Sequence, residues 1–370
     1  MIGKNDGGRC VMSGYPIRLD HAGAWRVYLG GSQIRALRGI TGTEDNHYPE
    51  EWIASVTPAA GMGAVAGAGL SRAAGDPHCF LRDLIAAAPE QFLGRAFCRT
   101  RGSDPGVLLK LLDAAERLNV QVHPDRLAAR RLWNSPYGKT EGWYFLPSKR
   151  PDCKPVFYLG LKEYVTPSIL RTAFESGDSA QLLACMHAFD AEPGRMILVD
   201  SGVPHALGAG CFALEIQEPS DLTLRLERRT ASGSEVPDDI CHMGIGYDAM
   251  FSMVRYEGLT REDTLQKYTV PPRRCVENAG GYIERLIDRK FCSYFQLERI
   301  EVTTRLKLPA PEQFYGLFAL AGQGEICCGN QYFPVSPGDQ FFVPASCPDM
   351  ELVADRPMSL AWFSGPPAEA

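Results

Sequence analysis

Several segments of the chain carry a strand pattern of hydrophobic and polar positions, and others carry a helical pattern. Residues 81–92 and 126–133 fit helices. Residues 107–112 form an apolar run in which Lys110 is the polar exception. Residues 120–123 alternate apolar with polar side chains, which predicts a strand whose polar side chains share one face.

A capped helical segment is predicted after residue 165. Thr166 followed by Pro167 is a favourable helix start, because threonine caps the first amide groups and proline suits the first helical position. We therefore predict a pair of short helices over residues 168–189, broken at Gly177. Residues 57–75, by contrast, are rich in glycine and alanine and predict a loop.

An internal repeat is the most informative organisational feature of the sequence. Strand patterns fill residues 193–225 and dominate again from residue 291 onward. Within them, residues 193–205 and 337–349 share a Pro-Gly pair, an apolar strand and a second proline at a constant offset of 144 residues. Each copy predicts a turn, a buried strand, a second turn and then a side chain at the start of the next strand.

The repeated unit resembles the second half of a cupin motif. Its two copies predict a mainly β protein with two cupin (jelly-roll) β-barrels and helical insertions. We expect an N-terminal catalytic cupin domain over residues 1–270, with a helical insertion at about 165–190, and a C-terminal degenerate cupin domain over 271–370. The first copy ends in His205 and the second in Asp349, so metal is expected in the first copy alone.

Composition and net charge limit the kinds of molecule that this protein is expected to bind. The 370 residues are 45% hydrophobic and 22% charged, which suits a globular protein with room for two domains. The net charge of -6 and the pI near 5.7 argue against a nucleic-acid binder, which needs a basic face. A small anionic substrate stays possible, because a few local Lys or Arg residues can bind one phosphate.

The sequence also predicts a cytoplasmic protein with no membrane association. Residues 1–14 are polar and glycine-rich and lack the hydrophobic core of a secretory signal, and no apolar run approaches the length of a membrane span. The 12 cysteines form no CxxC pair. We therefore expect reduced thiols rather than disulfides or a zinc finger. Sequence leaves the oligomeric state open.

Four residues offer ligands for a single metal ion. Gln121 and His123, two residues apart on the alternating strand, present an amide oxygen and an imidazole on one face. His205 takes the ligand position of the first repeat, and Glu141 adds a carboxylate. Taken singly, each fits a structural role at least as well, as a hydrogen-bonded histidine or a solvated glutamate. Together they favour one metal ion, zinc by preference, with room for water or substrate.

Three charged residues are candidates for a substrate pocket. Lys139, two residues before Glu141, either points toward an anionic substrate or is solvated at the mouth of a strand. Glu215 and Arg225 lie in alternating stretches whose polar positions suit a barrel interior. A structural ion pair at the barrel mouth explains Glu215 and Arg225 about equally well.

Several motifs together resemble the type I mannose-6-phosphate isomerases of the cupin superfamily, in their shorter bacterial branch. The resemblance is strongest between residues 108 and 225. It rests on Leu-Lys-Leu-Leu-Asp-Ala at 109–114, Asn-Val-Gln-Val-His-Pro-Asp at 119–125, Gly-Lys-Thr-Glu with Trp-Tyr at 138–144, Pro-His-Ala at 204–206, Glu-Ile-Gln at 215–217, Ser220-Asp221 and Arg225.

The resemblance implies a two-barrel cupin fold and one Zn2+ per chain. The implied ligands are Gln121, His123, Glu141 and His205. It also implies that Arg225 is catalytic and that Lys139 lies in the substrate pocket; Glu215 is one candidate for the base that moves the proton. The implied reaction is the metal-dependent aldose–ketose interconversion of mannose 6-phosphate and fructose 6-phosphate, with a sugar phosphate as the small-molecule partner.

Other functions stay open at the level of sequence. A non-catalytic sugar-phosphate-binding paralogue could keep the pocket and lose turnover, and an isomerase could act on another phosphorylated sugar. A different metal-dependent cupin enzyme, such as an oxygenase, usually prefers an iron site richer in histidine. Metal analysis separates that last class from the isomerase, and a turnover assay separates the paralogue.

Overall fold

The computed structural model describes residues 3–4, 10–11, 14–60, 63, 65–150 and 153–366, and strands dominate it. Most of residues 1–14, for which the sequence predicted no secretory signal, lie outside the described residues. The same holds for residues 61, 62 and 64 of the predicted loop. The strands are β1 Gly3–Lys4, β2 Cys10–Val11, β3 Ile17–Leu19, β4 Gly23–Ala24, β5 Glu50–Ile53, β6 Leu108–Asp113, β7 Gln121–Val122, β8 Glu141–Phe145, β9 Val156–Lys162, β10 Met186–Asp190, β11 Met196–Val199, β12 His205–Leu207, β13 Phe212–Gln217, β14 Leu224–Arg225, β15 Gly258–Leu259, β16 Thr269–Val270, β17 Arg273–Asn278, β18 Gly281–Ile287, β19 Gln296–Val302, β20 Arg305–Leu308, β21 Tyr315–Cys328, β22 Gln331–Val335, β23 Gln340–Val343 and β24 Met350–Ser364.

The helices are short and connect the strands. They are α1 Ser32–Leu37, α2 Leu81–Ala87, α3 Pro89–Leu93, α4 Arg95–Arg101, α5 Arg126–Trp133, α6 Pro167–Ser176, α7 Ser179–Ala184, α8 Asp238–Cys241, α9 Tyr247–Ser252 and α10 Arg261–Tyr268. Within the described part of the chain, no helix combines the length and the apolar character needed to cross a membrane.

Two sheets built from the N-terminal part of the chain hold the predicted site residues. One has the strand order β10-β9-β12-β7-β14, with β15 paired to β9. The other has the order β16-β11-β8-β13-β6-β5-β4. Apolar side chains from both sheets pack together, including Trp143 and Phe145 of β8 and Phe157 of β9. The site therefore lies where these two sheets pack on each other.

A nine-stranded sheet contains most of the C-terminal strands. Its order is β17-β18-β19-β24-β21-β23-β3, with β20 paired to β24 and β22 paired to β21. β3 comes from the start of the chain, and Phe341 of β23 pairs with Arg18 of β3. This pairing crosses the expected boundary at residues 270 and 271, so the two parts of the chain share a sheet. The division into two domains remains our proposal.

The mainly β cupin prediction is confirmed, with one change in form. The sheets are open rather than closed barrels, although they are compatible with a jelly-roll arrangement. The repeat predicted from sequence has the same structure in both copies. β11 and β23 occupy equivalent positions 144 residues apart, and the preceding Gly194 and Gly338 have φ of 86° and 88°. These positive φ values explain why both turns carry glycine.

The helical predictions hold in part. α5 has the predicted bounds, and the break at Gly177 separates α6 from α7. The single helix predicted over residues 81–92 is instead two, because Pro89 lacks an amide hydrogen and begins a new helix. The helical prediction for 186–189 is wrong, since β10 pairs there with β9 and tertiary pairing overrides the local pattern.

Candidate functional site

The predicted site residues converge on a pocket of about 270 Å³ between the two N-terminal sheets. β5, β6 and β13 supply polar residues from one sheet, and β7 and β14 supply them from the other. The charged or polar side chains that line the pocket are Arg26, Tyr28, Glu50, Lys110, Asn119, Gln121, Lys139, Glu215, Asp221, Thr223, Arg225 and Asp239. The pocket therefore mixes cations and carboxylates.

Three of the four predicted ligands form a buried cluster beside this pocket. His123 follows β7, Glu141 begins β8 and His205 begins β12. The Nε2 atoms of His123 and His205 are 3.1 Å apart. The Glu141 carboxylate lies 3.2 Å from His123 Nε2 and 3.1 Å from His205 Nε2. None of the three side chains is more than 1% exposed, so these contacts are shielded from water.

Hydrogen bonds on the far side of each ring fix which nitrogen faces the cluster. His123 Nδ1 lies 2.9 Å from the Leu222 carbonyl, and His205 Nδ1 lies 2.8 Å from the Val203 carbonyl. A carbonyl oxygen only accepts, so each Nδ1 carries the proton and each Nε2 presents a lone pair. Burial, reinforced by the charge of Lys139, lowers the pKa of His123 to about 3, which keeps this ring neutral.

Lys139 brings a positive charge to the cluster. Its Nζ lies 2.9 Å from Glu141 Oε2 and 2.9 Å from His123 Nε2. Burial alone would raise the pKa of Glu141, but the positive charge of Lys139 outweighs it and holds that pKa well below its usual range. The Glu141 carboxylate is therefore ionised.

This arrangement fits a bound cation. The two Nε2 atoms face each other at 3.1 Å, and neither can donate to the other because each ring carries its proton on Nδ1. Lys139 is an ion-pair neighbour of Glu141, yet neither Glu141 oxygen receives a hydrogen bond of suitable geometry from the described residues. The candidate ligand atoms of His123, Glu141 and His205 lie within 4.8 Å of one another. Nitrogen and carboxylate donors of this kind are typical ligands of divalent metals such as zinc.

The strand register places two further predicted residues beside the cluster. Gln121 is directly opposite His205 on β12 and opposite Arg225 on β14. Directly paired residues of antiparallel strands project to the same face, so the three side chains share the pocket side of the sheet. Gln121 and Arg225 both line the pocket.

Glu215 forms part of a buried ion pair that sequence reasoning did not identify. Its Oε2 lies 2.9 Å from Lys110 Nζ, and both side chains are at most 5% exposed. Burial lowers the pKa of Lys110, but Glu215 and then Glu50 outweigh it, so the net pKa is raised and the lysine is cationic. The signal was visible in the sequence: Lys110 interrupts an otherwise apolar strand.

Glu50 is a second site residue that sequence reasoning missed. Its Oε1 lies 3.0 Å from Arg26 Nε and accepts a 2.7 Å hydrogen bond from Tyr28, and its Oε2 accepts from Trp52 at 2.9 Å. Burial opposes ionisation of Glu50, but Arg26 and Lys110 outweigh it and hold the pKa well below its usual range. Every position of β5 is buried. Glu50 and Glu51, which begin this strand, are therefore buried acids, and their burial is the signal that marks them as candidate site residues.

The glycine- and alanine-rich stretch at 57–75 reaches the pocket. Ala60 lines it, and its amide donates to Asp221 at 3.1 Å, while Arg26 donates to its carbonyl at 3.3 Å. Arg26 Nη2 also lies 3.4 Å from Asp221. Ala60 of the predicted loop therefore lies at the pocket and is held there by Asp221 and Arg26.

Comparison with known proteins gives the same family as the motifs. The family model described as "Mannose-6-phosphate isomerase, cupin domain" matches residues 289–357. The mannose-6-phosphate isomerase ManA of Bacillus subtilis is 28% identical over 265 residues, covering 69% of this chain and 74% of the relative. The mannose-6-phosphate isomerase of Streptococcus mutans is 26% identical over 268 residues, covering 70% and 77%.

Solved structures match almost the whole fold. The crystal structure of the mannose 6-phosphate isomerase from Bacillus subtilis superposes with a TM-score of 0.74 at 22% identity, covering 94% of this chain and 99% of that one. A putative mannosephosphate isomerase from Archaeoglobus fulgidus gives a TM-score of 0.70 at 18% identity, covering 95% and 98%. Taken together, the sequence relatives, the cupin-domain match and these superpositions show that the chain is similar in sequence to the mannose-6-phosphate isomerases and shares their fold.

Proposed function

We propose that this protein is a metal-dependent aldose–ketose isomerase that interconverts mannose 6-phosphate and fructose 6-phosphate. The observation that carries the proposal is the pair of imidazole lone pairs that face each other beside the ionised Glu141, at the edge of a pocket rich in charged groups. The names of the sequence relatives support the reaction class. We assign Gln121, His123, Glu141 and His205 as ligands of one Zn2+.

The metal would supply Lewis-acid stabilisation of negative charge on substrate oxygen. The remaining chemistry is a proton transfer between two adjacent carbons, for which a base must lie in the pocket. We assign this role to Glu215. Its carboxylate lines the pocket and contacts the Lys110 ammonium at 2.9 Å, so the base and a balancing positive charge are held together away from bulk water.

Arg225 is proposed to stabilise negative charge on the substrate. Its guanidinium donates to the carbonyls of Thr223 and Ile240, both at 3.2 Å, and has no carboxylate within 4.0 Å among the residues the structure describes. Burial lowers the pKa of Arg225, yet an arginine remains charged at neutral pH. A half-buried cation that pairs with no carboxylate of the described residues is well suited to bind an anion.

Lys139 is proposed as a second cation for the substrate. In the structure it neutralises the histidine–glutamate cluster, and it also lines the pocket. When a metal ion supplies that positive charge, the Lys139 ammonium is free to turn toward the pocket. The pocket volume of about 270 Å³ lies just below the range of about 300–1,000 Å³ usual for small-molecule sites, in keeping with a ligand as small as a hexose phosphate.

Isomerisation of mannose 6-phosphate by the purified full chain tests the proposal. We expect turnover that disappears on chelation and returns when Zn2+ is restored. Unphosphorylated mannose is the control substrate and should react far more slowly, because Lys139 then has no phosphate to bind. Zinc-loaded protein without turnover would contradict the reaction and favour another phosphorylated sugar or a binding paralogue, whereas activity unaffected by chelation would contradict the metal dependence.

A further inference from the structure

Glu218 fixes the backbone beside Glu141. Its side chain is only 1% exposed, and its Oε1 accepts a 3.2 Å hydrogen bond from the Thr140 amide. In return the Glu218 amide donates to the Thr140 carbonyl at 3.1 Å. Glu218 therefore forms hydrogen bonds with both backbone polar groups of Thr140, the residue immediately before Glu141.

The rest of this segment lies tightly against the turn that follows His123. The Lys139 amide donates to the Pro124 carbonyl at 3.0 Å. A Cβ atom added at Gly138 would lie 2.7 Å from that same carbonyl oxygen and 2.8 Å from the Arg126 amide nitrogen. The segment can approach so closely only because residue 138 is glycine. Residues 138 and 139 therefore pack directly against the turn at 124–126.

Arg126 connects this arrangement to the nine-stranded sheet. Its Nε lies 2.5 Å from Glu218 Oε2. Its guanidinium carbon is 4.1 Å from the centre of the Tyr294 ring and 5.8 Å from that of Tyr137. Tyr294 lies between β18 and β19, within the residues matched by the cupin-domain model. A continuous series of contacts thus runs from Tyr294 through Arg126, Glu218 and Thr140 to Glu141.

We propose that Tyr294 is a positioning residue for the metal centre, through which the C-terminal sheet orients Glu141. A buried carboxylate such as Glu218 is stable only while its guanidinium partner stays in place, and an aromatic face holds a guanidinium by cation–π attraction. Metal affinity depends in turn on how well the groups behind each ligand orient it. The inference rests on the metal site put forward above, and it gives the C-terminal sheet a direct part in that site.

Zinc titration of the full chain against a chromophoric chelator tests the inference. We expect Tyr294→Leu to weaken Zn2+ binding about 3-fold, and Tyr294→Phe, which keeps the ring, to change it by less than about 2-fold. Glu218→Gln should weaken binding about 10-fold, and adding Tyr294→Leu to it should have no further effect, because the connection is already broken. Tyr332→Leu is the matched control, because Tyr332 is 65% exposed on β22 of the same sheet. The Tyr332→Leu protein should bind Zn2+ with the affinity of the wild type.

Amide hydrogen exchange of the metal-free protein gives an independent readout. Tyr294→Leu should speed exchange at residues 138–141, and Tyr332→Leu should not. Wild-type Zn2+ affinity together with unchanged exchange in Tyr294→Leu would overturn the inference and leave the metal site intact. A wild-type chain that fails to bind Zn2+ would instead overturn the proposed function, and the exchange measurement would still decide whether Tyr294 positions the segment.

Discussion

At the scale of single residues, hydrogen bonds determine which histidine nitrogens face the site. His123 and His205 each use Nδ1 on a backbone carbonyl, so both present Nε2 to the same small volume. Glu141 brings a negative charge to that volume, 3.1–3.2 Å from both rings. In the structure the Lys139 ammonium offsets the repulsion among these three acceptors, and a bound metal ion would do the same. Imidazole and carboxylate groups are able to bind a metal ion, and the hydrogen bonds at Nδ1 orient both rings so that their Nε2 atoms face the same point.

Replacing His205 tests the ligand assignment. We expect His205→Ala to lose stoichiometric zinc after dialysis while its circular dichroism stays that of the folded protein, because the substitution removes one ligand and leaves the strand pairing of β12 intact. His187→Ala is the matched control, since His187 is also a mostly buried strand histidine, and its Nε2 is bound to the Leu259 carbonyl. Full zinc content in the His205 variant would remove His205 from the ligand set.

Replacing Arg225 separates catalysis from metal binding. We expect Arg225→Ala to keep its zinc and to lower kcat/KM for mannose 6-phosphate about 100-fold, the usual effect of deleting a donor that stabilises developing charge. Metal content and turnover are measured on the same preparation. Turnover equal to the wild type would show that Arg225 takes no part in the reaction.

At the scale of elements, the short connection from β7 to α5 combines site and scaffold. β7 carries Gln121 and ends at Val122, and His123 and Pro124 follow it. Asp125 then caps α5, its side chain accepting a 2.7 Å hydrogen bond from the Ala128 amide. The strand, the candidate ligand His123, the turn and the cap follow one another directly, so the helix start also fixes the backbone just after this residue.

The cap of α5 gives a prediction about stability. We expect Asp125→Ala to lower the free energy of unfolding by about 1 kcal/mol, because an amide at the helix start loses its acceptor. Asp125→Asn, which keeps a capping oxygen, should lose much less. Chemical denaturation of the three proteins is the measurement, and equal stability of Asp125→Ala and wild type would show that this cap contributes nothing.

At the scale of the whole molecule, one guanidinium joins parts of the chain that are far apart in sequence. Arg150 contacts Asp45 through both terminal nitrogens, at 2.7 and 2.8 Å, and also Asp113 at the end of β6. Asp113 in turn accepts from the Gly31 amide at 2.9 Å. Hydrogen bonds from Arg150 lower the pKa of Asp45 from 3.8 to about 2.

This shift predicts how stability changes in acid. Because the folded-state pKa of Asp45 is the lower one, its contribution to stability is present above pH 4 and is lost as the pH falls toward about 2. Asp45→Asn should therefore reduce the dependence of unfolding free energy on pH between about 4 and 2. Denaturation curves across that range provide the measurement, and a variant with the wild-type pH dependence would contradict this role of Arg150.

Much of the site could be predicted because its residues lie in recognisable local patterns. The alternation around Gln121 and His123 and the repeated turn before His205 are properties of neighbouring residues. Lys110 and Glu50 were harder to find, since their importance depends on burial beside Glu215 and Arg26, which come from distant parts of the chain. The strand at β10 was missed for a related reason, because pairing with β9 overrides the local helical pattern.

Local sequence thus specified the mainly β class, the paired repeats, the cap of α6 and the identity of the candidate ligands, because each depends on a few adjacent side chains and their backbone preferences. Tertiary packing settled the rest. It brought β3 into the C-terminal sheet, left the sheets open, and turned the two Nε2 atoms toward each other. It also placed Tyr294 against Arg126, behind the proposed metal centre. These features depend on contacts between residues tens to hundreds of positions apart, whose geometry no local pattern encodes.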